Sequence, residues 1–273
     1  MDRIIKKCRC IDIQRMFYIL LALYLLSIVP VLAAGLYDFP SADDFSFAAS
    51  VRNIWVDSHN IFAVLAEAAA TSAVKYMTWQ GTYTSIFFMA LQPAVFGVRA
   101  YAVTPFIMTG MLTLSVFYFA RTVFRCFDMG NDYASGSIAI IILEVILQGM
   151  VSPVEGLYWY NGAVHYILPF GFMLFLLGLL ISIRDKCIRN DSRHMRREMI
   201  LAVICAAFTG GGNLVSGLIM ALLAVSFIIL GIIRGRSGQN RPAVIVCLCY
   251  LVFFVLNIIA PGNYLRSRSA SGM

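Results

Sequence analysis

Charged residues are scarce in this sequence: Asp, Glu, Lys and Arg make up 13% of its 273 residues, whereas a soluble domain carries about 25%. Together with a hydrophobic share of 60% and a mean hydropathy of +0.82, this excludes a water-soluble globule and a disordered chain. The seven cysteines include no Cys-x-x-Cys pair, which argues against a thiol metal site or redox motif. A glycine-rich phosphate loop is also missing, because residues 210–212 lack the preceding strand and the required spacing.

Long apolar runs are what the sequence contains instead. A bilayer core requires about 20 mostly apolar residues per helix, and seven segments approach that length. We therefore predict an all-α integral membrane protein with about seven transmembrane helices, in which residues 1–273 form one polytopic domain. The predicted spans are residues 16–34, 101–120, 134–151, 164–183, 199–209, 214–233 and 243–260.

The basic residues predict how these spans are oriented. The apolar segment 83–95 has about 13 residues, which suits a re-entrant or interfacial helix better than a span. If it does not cross and the N-terminus is cytoplasmic, 16 of the 21 basic residues lie inside; if it crosses, only 8 do. We therefore predict a multi-pass protein of the bacterial cytoplasmic (inner) membrane, with a cytoplasmic N-terminus, a long extracytoplasmic loop at 35–99 and a basic cytoplasmic loop at 184–198. The net charge of +7 is then a topology signal and does not indicate a nucleic-acid partner.

The first outer loop opens with two adjacent acids, Asp43 and Asp44. Such a pair could act as a general base or hold a divalent cation, provided that the backbone there is not helical, because adjacent helical residues diverge. The alternative is that Asp43 and Asp44 simply cap a helix that starts at the pair and face water, and Ser41 could also cap that helix. Further along, Ile61, Val64, Leu65 and Ala68 share one face, which predicts a helix lying along the membrane surface.

The second outer loop is rich in aromatic residues. Tyr158 and Trp159, with Asn161 and His165 after them, could stack on a sugar ring and bind its hydroxyl groups; the alternative is the aromatic belt of any membrane interface. Glu155 is an ionisable group near the membrane and is therefore a candidate as well. Trp79 repeats the aromatic theme in the first loop.

Two further polar features complete the candidate set. Arg266, with Asn263 nearby, follows the last span on the side where basic residues are few, and its guanidinium suits a phosphate; alternatively, Arg266 and Arg268 are tail residues that touch lipid phosphates. Glu144 lies within the third span, either as a proton or substrate group or as a buried residue hydrogen-bonded to a neighbouring helix.

Four short motifs together resemble the GT-C class of membrane glycosyltransferases and, more narrowly, an uncharacterised family of bacterial polytopic membrane proteins distantly related to that class. The motifs are SADDF (41–45), WQG (79–81), YWYNGAVHY (158–166) and PGNYLR (261–266). The chain departs from this family in having Thr82 where relatives often carry a basic residue. Relatives also tend to continue with further spans after the last motif, so we expect this chain to be truncated at its C-terminus.

The resemblance implies transfer of a sugar from a polyprenyl-phosphate donor to a cell-envelope glycan or lipid at the outer face of the membrane. Asp43 or Asp44 would deprotonate the acceptor, or the pair could instead recruit a divalent cation. Arg266, with His165, would stabilise the leaving phosphate. The remaining substrate contacts would come from Trp79, Glu155, Tyr158, Trp159, Asn161 and Asn263. The alternatives are a transporter or flippase of lipid-linked substrates, or a non-catalytic membrane scaffold; the one-sided placement of the polar groups favours the enzyme.

Overall fold

The computed structural model describes residues 12–233 and 240–271, and within these two ranges helices are the only regular elements. The prediction of an all-α protein is therefore confirmed for the described residues. The α-helices, in chain order, are α1 (Ile13–Gly35), α2 (Asp44–Ser58), α3 (Ile61–Thr78), α4 (Tyr83–Ala90), α5 (Thr104–Cys126), α6 (Asp132–Gln148), α7 (Tyr160–Arg189), α8 (Met195–Gly210), α9 (Leu214–Ile233), α10 (Arg241–Ile258) and α11 (Pro261–Ser271).

Among the described residues, five helical segments are long and apolar enough to cross a bilayer: α1, α5 with the turn before it, α7, α9, and α10 with most of α11. They indicate a multi-pass membrane protein. The other two predicted spans coincide with α6 and α8, which have 17 and 16 residues and rise about 25 Å, against a hydrocarbon core of about 30 Å. The count of seven and the cytoplasmic N-terminus stay predictions.

The helix α7 is the centre of the bundle. With 30 residues it is about 45 Å long. One apolar cluster packs it against α1, α5 and α6, and a second cluster packs it against α8, α9 and α10. A side chain on the first turn of α7 therefore lies at one end of the bundle and one on its last turn lies at the other end.

Glu144, the acid inside a predicted span, has a partner on a neighbouring helix. Ser27 on α1 donates to Glu144 Oε1 at 2.7 Å, and one turn away the hydroxyls of Tyr24 and Thr113 lie 2.5 Å apart. Polar side chains in lipid are tolerated when they bond to each other. Two roles were predicted for Glu144. Its hydrogen bond from Ser27 favours the role of a residue that is bonded to a neighbouring helix.

The first outer loop folds into the helices α2, α3 and α4. The turn between α2 and α3 is made by His59, in the left-handed region at φ 49°, and by Asn60, whose side chain caps α3. The buried face of α3 holds Val64, Ala68 and Ser72.

Two sequence predictions concern this loop. The helix predicted from Ile61, Val64, Leu65 and Ala68 is α3; Val64 and Ala68 pack inward on the 64–68–72 stripe, while Ile61 and Leu65 are 43% and 39% exposed, and its position along the membrane surface stays a prediction. The segment 83–95 was predicted not to cross. It contains only the eight residues of α4 and a short 3-10 turn, and α4 rises only about 12 Å.

Candidate functional site

The acid pair lies where the chain leaves α1 and enters α2. Ala42 takes a left-handed conformation at φ 49°, and Asp43 occupies the N-cap position before Asp44, the first helical residue. The main-chain N–H of Asp44 donates to Ser41 O at 3.1 Å, while Asp44 Oδ2 accepts from Ser41 N at 3.0 Å. The expected capping by Ser41 is therefore wrong: the carboxylate of Asp44 closes the turn onto the main chain of Ser41.

Asp44 is fully buried and anchors the loop to the helical bundle. Its Oδ2 also accepts from the Tyr101 hydroxyl at 2.5 Å, and its Oδ1 accepts from Asn161 N at 3.3 Å. Its carbonyl oxygen accepts from Gln92 Nε2 at 2.6 Å. Burial raises the pKa of Asp44, and the hydrogen bonds oppose that effect. Because the Asp44 carboxylate has no solvent exposure and already accepts three donors, the geometry suits a positioning residue.

Asp43 is the acid of the pair that remains accessible. It is partly exposed, and its Oδ1 accepts from Asn161 Nδ2 at 3.0 Å. The two acids therefore converge on Asn161, which binds Asp44 through its main chain and Asp43 through its side chain. The two acids reach this one residue although Asp43 already has αR backbone angles and Asp44 is helical, because they bind different groups of Asn161.

Three buried polar atoms near the start of α7 have no hydrogen-bond partner among the described residues: Trp159 Nε1, Asn161 Oδ1 and His165 Nδ1. Asn161 is only 2% exposed, and buried polar groups are normally paired with protein, water or ligand. Asn161 and His165 are four residues apart and so share a face of α7. This face offers two donor or acceptor atoms to a bound molecule.

The other two candidates of the aromatic loop stand apart from that face. The hydroxyl of Tyr158 donates to Val31 O at 2.9 Å and so fastens the loop to α1. Glu155 is exposed, and no hydrogen bond of its carboxylate to another described residue brings it to the acid pair. The structure therefore gives Tyr158 an anchoring contact and leaves Glu155 at the periphery.

Asp38 is a third acid of this region, which the sequence analysis overlooked. It is partly buried, and its Oδ2 is enclosed without a hydrogen-bond partner among the described residues. Burial raises the pKa of Asp38 to about 6, and the nearby charge of Asp44 adds to the shift. The signal was present in the sequence, since Asp38, Asp43 and Asp44 are three acids within seven residues.

A second group of candidates surrounds Arg266. Its Nη1 donates to Gln80 Oε1 at 2.5 Å, and its guanidinium lies 5.0 Å from the ring centre of Trp79, which is within cation–π range. The Trp79 ring in turn lies 5.4 Å from that of Phe47 on α2. Phe47 is four residues after Asp43, so the aromatic row of Trp79 and Phe47 leads from the guanidinium to the helix that begins at the acid pair.

Thr82, the departure from the family pattern, also belongs to this group. It is buried and accepts from Gln80 Nε2 at 2.6 Å. Because the Gln80 amide donates to Thr82 and accepts from Arg266, Thr82 takes part in holding the guanidinium.

Asn263 holds two of the motifs together. Its Oδ1 accepts from Gly81 N at 2.9 Å, and its Nδ2 donates to Asn257 O at 2.7 Å. The glycines permit this approach: a Cβ on Gly81 would lie 1.9 Å from Asn257 O, and one on Gly262 would lie 2.6 Å from Trp79 N. Asn263 therefore docks α11 on the WQG motif, and this contact positions Arg266.

A cavity of about 500 Å³ opens beside Arg266. Its polar wall includes Gln80, Thr82 and Arg266, while Leu214 and Ile258 form an apolar wall at the ends of α9 and α10. A cavity with a guanidinium on one wall and aliphatic groups on the other suits an amphiphilic phosphate.

The suggested divalent cation does not fit these residues. Within the described parts of the chain, no group of three or more His, Cys, Asp and Glu side chains is placed to hold a metal ion. The Asp44 oxygens are moreover engaged by protein donors. We therefore derive no step through a cation on Asp43 and Asp44.

Comparisons of the chain with protein-family models, with curated proteins and with solved structures found no match. The fold and the site thus define a class only: a multi-pass helical membrane protein with a polar site at one end of its bundle. The resemblance to GT-C glycosyltransferases stays a prediction.

Proposed function

We propose that the protein transfers a sugar from a polyprenyl-phosphate donor to a cell-envelope acceptor at the outer face of the membrane. The observation that carries this proposal is that an accessible carboxylate, Asp43, and a guanidinium, Arg266, lie at the same end of the bundle. The aromatic row of Trp79 and Phe47 leads from the guanidinium to the helix that begins at the acid pair. A transfer reaction needs a base for the acceptor and a cation for the leaving phosphate, and these two residues supply them.

Asp43 acts as the general base. The oxygen of the acceptor hydroxyl attacks the anomeric carbon with inversion, its proton passes to the Asp43 carboxylate, and the bond from the anomeric carbon to the phosphate oxygen breaks. Asn161 orients the carboxylate through its side-chain amide. General-base catalysis contributes about 10²- to 10⁴-fold to a rate.

Arg266 takes up the charge of the leaving group. The electron pair of the broken bond remains on the phosphate, where a guanidinium forms strong charge-assisted hydrogen bonds. The stack on Trp79 and the bond to Gln80 hold the guanidinium in place. The apolar wall formed by Leu214 and Ile258 suits the start of the lipid chain.

The sugar occupies the space between these groups. The unpartnered atoms of Trp159, Asn161 and His165 match the hydroxyl groups of a hexose, each of which donates and accepts. In this proposal, Asp44, Tyr158 and Asn263 position the binding elements and do not touch the substrate.

The test uses purified protein and a short-chain donor, farnesyl-phosphate-linked hexose, with bacterial envelope membranes as the source of acceptor. Donor binding is followed by the fluorescence of Trp79 and Trp159 in a Trp55→Phe background, because Trp55, the third tryptophan, lies away from the site against His59 and Phe96. Turnover is followed by the release of farnesyl phosphate.

We expect Asp43→Asn to keep donor binding and to lower turnover by about 10²-fold or more, the share of a general base. Asp57→Asn, which changes an exposed acid on the same helix, is the matched control and should change neither readout. Arg266→Ala should weaken donor binding, while Arg99→Ala, which changes an exposed base at the end of the predicted first outer loop, should not. Full turnover in Asp43→Asn would overturn the assignment of the base.

A further inference from the structure

A second cavity lies at the opposite end of the bundle, about 470 Å³ in volume. It is enclosed by the last turns of α5 and α7 and the first turn of α8. Because α7 is about 45 Å long, this cavity is remote from Asp43 and Arg266, and the proposed function does not use it. By the predicted topology it faces the cytoplasm.

The cavity wall carries three acids, three Lys or Arg side chains and one histidine, and two of its basic residues are left without an acid. Each acid of the wall has a basic partner: Asp185 pairs with Arg189 at 2.9 Å, Asp191 with Arg193 at 3.2 Å, and Glu198 with Lys186 at 2.8 Å. Two bases of the wall, Arg125 and His194, form no ion pair with any described residue. A cation would have to compete for acids that are already paired, whereas an anion finds a guanidinium and an imidazole.

Neutral hydroxyl groups complete the wall. Tyr118, Thr122 and Ser182 line the same cavity, and Ser182 donates to Glu198 Oε2 at 3.1 Å. A helix C-terminus by itself favours a base and so accounts for the sign of Arg125. It does not account for a cavity whose wall combines this guanidinium with an imidazole and hydroxyl groups. Guanidinium and neutral donors together are typical of phosphate recognition.

We propose that this cavity binds a phosphate group through Arg125 and His194, carried either by a soluble phosphate ester or by a phospholipid headgroup. The volume exceeds that of a phosphate alone and leaves room for the group that carries it. The proposal is independent of the sugar-transfer reaction at the other end of the bundle.

The thiol of Cys126, which lines the cavity and is partly exposed, reports on occupancy. Purified protein is treated with N-ethylmaleimide, and the modification of Cys126 is followed by peptide mass spectrometry. Cys187, a nearby thiol that does not line this cavity, is the internal control. One arm adds inorganic phosphate at constant ionic strength. The other compares nanodiscs of phosphatidylcholine with nanodiscs that contain phosphatidic acid.

We expect phosphate or phosphatidic acid to slow the modification of Cys126 and to leave that of Cys187 unchanged. Protection by inorganic phosphate indicates a soluble ligand, and protection by phosphatidic acid alone indicates a lipid. Arg125→Gln should raise the half-protecting concentration by roughly tenfold or more, the worth of a charge-assisted hydrogen bond. His194→Asn, which keeps the left-handed backbone tolerable, should raise it by less.

Arg121→Gln is the matched control, because Arg121 lies one turn earlier on the same helix, is paired with Asp132 and does not line the cavity. Its half-protecting concentration should equal that of the unchanged protein. The proposal is overturned if neither probe protects Cys126, or if the half-protecting concentration is the same in Arg125→Gln as in Arg121→Gln.

Discussion

Replacing Tyr101 by Phe removes one oxygen atom from the centre of the loop anchor. Tyr101 is fully buried in the 3-10 segment before α5. Its hydroxyl donates to Asp44 Oδ2 at 2.5 Å and accepts from Tyr160 N at 2.8 Å. One substitution thus breaks a bond to a carboxylate and leaves a buried N–H without an acceptor.

The magnitude follows from these two contacts. A hydrogen bond to a charged group contributes about 1.5–3 kcal/mol, and an unpaired buried donor costs about 1–3 kcal/mol. We therefore expect Tyr101→Phe to lower the free energy of unfolding by about 3–5 kcal/mol, which is large against the usual effect of a point mutation. Asp44→Asn should be destabilising too, because one amide cannot accept from all three donors.

The assay is reversible unfolding in mixed detergent micelles, followed by the fluorescence of Trp159, the neighbour of Tyr160. Tyr264→Phe is the control: Tyr264 is 61% exposed, and its hydroxyl makes no hydrogen bond to a described residue, so its loss should cost less than about 0.5 kcal/mol. If Tyr101→Phe lies within 0.5 kcal/mol of this control (about one RT), the Asp44 anchor does not stabilise the fold and our reasoning is refuted.

Two more predictions concern Asp38 and Gly81. Because the pKa of Asp38 rises from 3.8 to about 6 on folding, the folded state holds the proton more tightly, and this group lowers stability as pH rises from about 4 to 6. Unfolding curves at pH 4.5 and 7.5 should show that Asp38→Asn stabilises the protein more at the higher pH, and an equal effect at both would contradict the shift. Gly81→Ala should weaken the docking of α11, since the new Cβ meets the main chain of Asn257, and cost about 1–3 kcal/mol. Gly110→Ala, where a Cβ meets nothing within 4 Å, should be neutral or stabilising by about 0.5–1 kcal/mol.

The helices of the bundle were largely predictable from apolar runs. The span predicted at 214–233 matches α9 as far as it is described, and the glycines at 210–212 mark its start in the sequence. The helix α8 begins four residues before the predicted start at 199, since Arg196, Arg197 and Glu198 continue the helix outside its apolar part. Hydropathy locates only the apolar part of a helix, whereas the helix itself extends as far as its main-chain hydrogen bonds continue.

The sequence could predict which residues belong to the candidate site, but not how they are arranged in space. Asp43, Asn161 and Arg266 are distinctive by residue type and by their place beside a span. Nothing local reveals that Asp44 is buried, because its burial depends on Tyr101 and Asn161, which lie 57 and 117 positions away. The same holds for Asn263, whose partner Gly81 is 182 positions away. Contacts of this length arise from the packing of the bundle, which periodicity cannot specify.

Asn161 holds the loop with its main chain and the accessible acid with its side chain. The contact that anchors the loop and the contact that orients the acid are thus separable at a single position. A ligand can displace the Asn161 amide from Asp43 while the main-chain hydrogen bond to Asp44 remains, so the Asp43 carboxylate can be released without opening of the loop. A substitution at position 161 can therefore alter the orientation of the Asp43 carboxylate while the main chain of residue 161 still anchors the loop through Asp44.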